Sequence, residues 1–219
     1  MQKKYNPEQT VAKILSISTE LFNEKGYDKT SMQDIVNALG MSKGAIFHHF
    51  KSKEDILGAV LKIMADEQMA AYKSQIQNEM KGLTAKEKLT SVMSASISID
   101  TNKVADAITK GINDPKIVMG MLKYNMEISA PFMASILRDG IADGSIKTDY
   151  PDECAEVLIL LLNIWCDPMV LKCSLNAYRK RLKYLQHIMA ASGVDVITDE
   201  FIEKDIKFVE SLYEVKTWQ

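Results

Sequence analysis

Between Gly40 and Lys53 the chain reads Gly-Met-Ser-Lys-Gly-Ala-Ile-Phe-His-His-Phe-Lys-Ser-Lys, a short stretch dense in small and donor-bearing residues. Ser42 is placed to cap a helix whose Ile46 and Phe50 point one way. Ser42, Lys43, Gly44, Ala45 and His48 are left facing outward. Lysine, histidine and a helix N-terminus attract phosphates and base edges, and glycine lets a backbone come close. That is the chemistry of DNA contact. Catalysis has no comparable set: the histidines are only His48, His49 and His187, and no paired acid and base, Cys-x-x-Cys or glycine-rich phosphate loop is present. Adjacent histidines diverge on a helix, so His48 and His49 do not make a metal pair. The expectation is therefore no enzyme, no metal and no cofactor.

The elements that must position this stretch are helical throughout, and the chain reads as all-α. Val11, Ile14, Leu15, Ser18, Leu21 and Phe22 follow helical spacing up to Gly26. Ser31 caps a second, short helix with Asp34 in its first turn and Met32, Ile35, Val36 and Leu39 as its stripe, ending at Gly40. Two short helices joined at Gly40, completed by the first, form the arrangement that lets one helix enter a major groove. Ser52 caps a fourth helix running to about Met80, roughly 40 Å long. A boundary inside or beside that helix divides a DNA-binding domain, 1–55, from a larger domain, 56–219.

Beyond it the helices lengthen. One starts at Thr84, and Asp100 is a further candidate cap. Another runs from Pro115 to about Ala142 with a kink at Pro131, because proline removes a backbone hydrogen bond. The most apolar runs from Tyr150-Pro151-Asp152 to about Asn176 with an interruption at Pro168. A last one follows Asp199. With 47% hydrophobic residues, 10 Gly and 5 Pro in 219 residues, disorder and collagen-like repeats are excluded. A net charge of -2 means any DNA site depends on local placement of charge. Cys154, Cys166 and Cys173 are odd in number and sit in an apolar stretch, which speaks for a reducing cytoplasm and inert thiols, with Cys166 and Cys173 on one helix face. No signal peptide or membrane span is expected.

The stretch Leu21-Phe22 through Gly26-Tyr27, Thr30-Ser31-Met32, Ile35, Gly40-Met41-Ser42-Lys43-Gly44 and His49-Phe50 to Lys53 and Leu57 resembles the DNA-binding domain of the tetracycline-repressor-like (TetR/AcrR) family. The likeness covers about a quarter of the chain and fixes about a dozen positions at set spacing. It implies a homodimeric transcriptional regulator, usually a repressor, whose C-terminal domain binds a small molecule and releases DNA. Carried over by position, it implies that Thr30, Ser31 and Gln33 lie near phosphate or the groove edge. Lys43, Gly44, Ala45 and His48 face bases, and Lys53 meets a phosphate. Phe47 stands where the family commonly has tyrosine, so it offers apolar contact in place of a hydroxyl; Ala45 replaces a frequent threonine.

For the rest of the chain two expectations follow. An apolar or amphipathic effector is expected among Met93, Met119, Met126, Phe132, Met133 and Trp165, although methionine at helical spacing is more often plain core. Asn125, Glu127, Asn163 and Asp167 are polar residues in apolar helices that need partners, a ligand being one candidate. The helix from Cys154 is apolar nearly all round, so one side is read as a twofold interface of Val157, Leu158, Leu161 and Trp165, beside Ile202, Ile206, Val209 and Tyr213 of the last helix. The partners expected are double-stranded DNA carrying an inverted repeat, a small molecule and a second copy of the chain, with no membrane. The competing readings are an interaction adaptor of the same fold that has lost DNA binding, and a small-molecule carrier.

Overall fold

A computed structural model describes residues 6–97, 114–168 and 170–212. Asp100, Met169 and Tyr213 lie outside them. Every element among the described residues is helical: α1 (Pro7–Lys25), α2 (Met32–Leu39), α3 (Lys43–His49), α4 (Lys53–Asn78), α5 (Ala85–Ser96), α6 (Pro115–Tyr124), α7 (Ala130–Asp143), α8 (Pro151–Leu160), α9 (Leu175–Ala191) and α10 (Asp199–Leu212). Two π-helical turns, Asn125–Ser129 and Leu161–Cys166, precede α7 and follow α8. The chain divides into two compact units, residues 1–66 with 100–120, and residues 67–99 with 121–219.

Unit 1 is built from short-range signals. Asn6 caps α1, accepting from the backbone N–H of Glu8 and Gln9. Ser31 and Asp34 cap α2 reciprocally, and Ser42 caps α3 by accepting from the N–H of Ala45. Gly40 ends α2 in the left-handed region, φ 61°, which costs glycine little, and the chain turns there into α3. Ile14, Phe22, Ile35, Val36, Leu39, Ile46, Ile56, Leu57 and Val60 form one core, joined by Ile117 of α6. The first two turns of α4 belong to this core, so the division falls after Asp66, inside the helix.

Unit 2 packs α7 against α5 and α8, with α9 and α10 closing the bundle. Its core includes Leu89, Met133, Leu137, Leu158, Leu182, Leu185, Ile202 and Ile206. Thr84 and Glu87 cap α5, and the Asp143 carboxylate accepts from the Ala85 N–H at 2.7 Å, tying that helix start to the turn after α7. The expected kink at Pro131 takes the form of a π turn: Pro131 has no N–H to donate, and the Ala130 N–H reaches back to the Asn125 carbonyl. The apolar helix is shorter than its composition suggested. It leaves α-helical form after Leu160 and stops at Cys166, and Ser174 then caps the separate α9. Cys166 and Cys173 therefore do not share a helix face.

Candidate nucleic-acid interface and ligand cavity

The outward face of α3 is laid out by two caps and one buried residue. Ile46 is fully buried, which fixes the helix rotation and leaves Ser42, Lys43, Gly44 and His48 exposed, with Ala45 and Phe47 half-buried. Lys43 extends over the Phe47 ring, its ammonium 5.4 Å from the centroid, so the residue in place of the family's tyrosine supports a lysine stem. The Lys51 ammonium donates to the Phe47 carbonyl at 2.7 Å. On α2, Gln33 is exposed and its amide donates to Asn37 at 2.9 Å. Ser31 is exposed and serves as the cap.

Two residues assigned to phosphate by resemblance are engaged inside unit 1. Thr30 is 1% exposed, and its hydroxyl donates to the carbonyls of Gly26 and Leu21, which locks the turn between α1 and α2. The Lys53 ammonium donates to the Tyr27 carbonyl at 2.8 Å and lies 4.1 Å from the centre of its ring. Tyr27 is itself buried, its hydroxyl donating to Glu54, and burial raises its pKa above the ordinary tyrosine range. Lys53 thus begins as a brace on Tyr27 at the start of α4.

The Ser31–Asp34 cap gives a testable dependence. Hydrogen bonds from the Ser31 hydroxyl and backbone, with Lys25 nearby, hold the Asp34 carboxyl down at about 2. Its stabilising contribution is complete above the unfolded value near 3.8 and disappears as pH falls toward 2. Ser31→Ala is expected to lower stability by about 1 kcal/mol at pH 7. The difference between wild type and variant should shrink on titration from pH 5 to pH 2 in thermal denaturation; a constant difference would dissociate the cap from the carboxylate.

Unit 2 contains a cavity of about 370 Å³. Of the residues proposed to meet an effector, Met93, Phe132 and Met133 line it; Met126 packs on the core of unit 2, and Trp165 packs against Tyr184 with ring centroids 6.0 Å apart. Met119 is 52% exposed on α6 and has no part in the lining. Asn125 and Ser129 come from the first π turn and Leu162 and Asn163 from the second, with Asp167 just beyond it. A π turn rotates the helix face by one residue, which aims polar side chains inward where a continuous α-helix would not. Glu127, the remaining polar candidate, is exposed. Sequence reading missed Met69 and Tyr72 of α4, and Tyr178, Phe201, Asp205 and Phe208 of α9 and α10. The one available signal was Asp205, an acid within the apolar stripe of α10.

The predicted twofold surface divides. Val157 is 42% exposed, and Leu161 and Trp165 are half-buried. Leu158, Ile202, Ile206 and Val209 face the core of unit 2 and present nothing to a partner. The stripe of α10 is amphipathic because it packs on α9 and α5 of its own chain. The basic run of α9 is largely absorbed in the same way. Arg179 pairs with Glu203, Lys183 with Asp199 at 2.7 Å, and Arg181 donates to the carbonyls of Trp165 and Leu171. Cys166 is buried, and burial pushes its thiol up to about 12, so it stays protonated at neutral pH.

Capped short helices around a glycine turn, with a polar and cationic second helix exposed, define a helix-turn-helix DNA-binding transcriptional regulator. Residues 14–60 match the family model described as bacterial regulatory proteins, tetR family. The chain is 28% identical over 146 residues to the HTH-type transcriptional repressor KstR2 of Rhodococcus jostii, covering 65% of this chain and 70% of that one. It is 26% identical over 160 residues to the HTH-type transcriptional regulator UidR of Escherichia coli K12, covering 73% and 80%. The fold is shared with a TetR-family regulator from Pectobacterium atrosepticum, TM-score 0.62 at 17% identity, over 88% of this chain and 98% of that one. The helix-turn-helix segment is thus similar to that of TetR-family regulators, and the relatives matched over most of the chain are named as transcriptional repressors or regulators. Among the described residues no helix is long and apolar enough to cross a membrane.

Proposed function

We propose that the chain is a repressor that binds an inverted-repeat operator as a homodimer in the cytoplasm and leaves it when a small hydrophobic or amphipathic molecule fills the cavity. The observation that carries this is α4. The same unbroken helix supplies Ile56, Leu57 and Val60 to the helix-turn-helix core and Met69 and Tyr72 to the cavity lining. A ligand that displaces Met69 or Tyr72 acts on a helix that also anchors the DNA-binding residues. Residues 1–55 carry the DNA contacts, with Ser31, Gln33, Ser42, Lys43, Gly44, Ala45, Phe47 and His48 on the exposed side and Lys53 released from Tyr27 to reach phosphate. Residues 56–219 carry effector binding and dimerisation. The repressing sense rests on the likeness to KstR2.

Two recognition helices must lie about one DNA turn apart, roughly 34 Å, which a monomer does not provide. The surface proposed for pairing is centred on Val157 and Leu160 of α8 and Tyr184 of α9, large apolar residues left exposed in the single chain. Val157→Glu places a charge there and is expected to give a monomer by light scattering at micromolar concentration with an unchanged melting transition of the monomer. A dimer that survives this substitution places the interface elsewhere.

Selection of bound duplexes from a random DNA pool at moderate salt, with sequencing, tests the central reading. An enriched inverted repeat is the expected result. No enrichment even at low salt would leave the interaction adaptor as the function of the fold.

A further inference from the structure

The cavity in unit 2 is walled largely by Met69, Met93, Met133, Phe132, Phe201 and Phe208, an apolar and adaptable surface. Its charge is one-sided. Asp167 and Asp205 both line it, and no lysine, arginine or histidine does so among the described residues. Asp205 stands on α10 beside the stripe of buried Ile202, Ile206 and Val209, with the buried Phe201 on its other side. Its carboxylate accepts a hydrogen bond from the buried Tyr178 hydroxyl at 2.5 Å, the phenol fixing the carboxyl from the α9 side. Cations around the cavity are engaged elsewhere: the Lys204 ammonium donates to the Ser94 carbonyl at 2.7 Å, Arg181 holds the carbonyls of Trp165 and Leu171, and the Lys73 ammonium lies 5.7 Å from the centre of the Phe132 ring.

Asp205 is half-buried, and a carboxyl partly withdrawn from water against an apolar wall without a cationic partner carries a cost that a single phenol hydrogen bond offsets only in part. Burial accordingly holds the Asp205 carboxyl above the usual carboxylate range. Plain core would place an aliphatic side chain here, as it does at Ile202, Ile206 and Val209 around it. An anionic headgroup would meet the Asp205 carboxyl and no basic residue among the described lining. A purely apolar occupant would add no partner to the carboxyl beyond the Tyr178 hydroxyl.

Resting on the reading of this cavity as the effector site, we infer that the effector is an organic monocation, an amphipathic amine whose ammonium pairs with Asp205 while its body lies against the methionine and phenylalanine walls. The ammonium supplies the missing charge, and the aromatic rings accommodate any part of the cation that the carboxylate leaves exposed.

Calorimetric titration of the full chain with decylammonium, decanol and decanoate, matched in chain length, tests this. Decylammonium is expected to bind about tenfold or more tightly than decanol, with decanoate weakest, because only the ammonium compensates the carboxyl. In Asp205→Asn the preference for decylammonium over decanol should collapse while decanol affinity stays within about twofold. Tyr178→Phe, which keeps the carboxyl, should keep the preference, and it serves where the asparagine variant fails to fold. Equal or tighter binding of decanol or decanoate, an unchanged preference in Asp205→Asn, or no binding of decylammonium at its solubility limit overturns the inference. Adding decylammonium to the complex with the selected operator separates the two readings. Asp205-dependent binding without release of DNA supports the cation site and overturns the effector role of the cavity.

Discussion

Gly193→Ala is expected to destabilise the protein by roughly 2–5 kcal/mol, a large share of the 5–15 kcal/mol that folded domains of ordinary stability possess. Gly193 follows the C-cap of α9 at φ 80°. Its N–H donates to the Ala190 carbonyl at 3.0 Å, and the next N–H, of Val194, reaches the Met189 carbonyl at 2.9 Å. This is the double bond pattern of a glycine-terminated helix, with the buried Met189 and Val194 in hydrophobic positions on either side. A Cβ at Gly193 would stand 1.7 Å from the Lys147 carbonyl oxygen, whose own residue donates its N–H to the Gly193 carbonyl at 3.2 Å. Backbone is therefore pressed against backbone, and no side chain can rotate out of the way. Gly82→Ala is the control, because Gly82 has φ 87° with nothing within 4 Å of an added Cβ. That variant carries the conformational cost alone, about 1–2 kcal/mol. Denaturant unfolding should separate the two by at least 1 kcal/mol or so. Equal losses would mean that the close approach of the two backbones is not present in solution.

Gly44→Leu is expected to abolish specific operator binding, by about 100-fold or more, without loss of stability. An added Cβ at Gly44 meets nothing within 4 Å, and the residue is exposed in the first turn of α3, so the free protein accepts a side chain there. Helical propensity even favours it, by about 0.5–1 kcal/mol. In the proposed complex the same position lies where the helix start must come within hydrogen-bonding distance of phosphates and base edges, and a leucine would hold it off. Lys43→Ala should act differently. It removes a base-edge donor without adding bulk, so affinity for the operator falls by less and its preference over other sequences relaxes. Fluorescence anisotropy on the selected operator at several salt concentrations distinguishes the two. A Gly44→Leu protein that binds normally would remove α3 from the groove.

The helix-turn-helix was legible from residues because each of its determinants is local. Ser31, Ser42 and Gly40 act within three or four residues of themselves, and Ile35, Leu39 and Ile46 define faces by spacing alone. Thr30 and Lys53 show where such reading stops. The resemblance put Thr30 near phosphate or the groove edge and Lys53 at a phosphate; in the folded chain the Thr30 hydroxyl and one Lys53 N–H meet carbonyls brought near by the turn after α1. The stripe Ile202, Ile206 and Val209 is a stronger case. Amphipathic spacing says that a helix is covered on one side, but not by which chain, and here α9 and α5 of the same chain cover it.

The sequence by itself therefore determined the all-helical class and the capped short helices that carry the family resemblance, because these depend on backbone preferences and apolar period over a few residues. Only the tertiary structure decided the cavity. Its lining is drawn from α4, α5, two π turns, α7, α8, α9 and α10, elements separated by more than a hundred residues of chain. A π turn and a half-buried Asp205 in a cavity wall cannot be told from an ordinary helix and a surface acid until packing shows which face is enclosed.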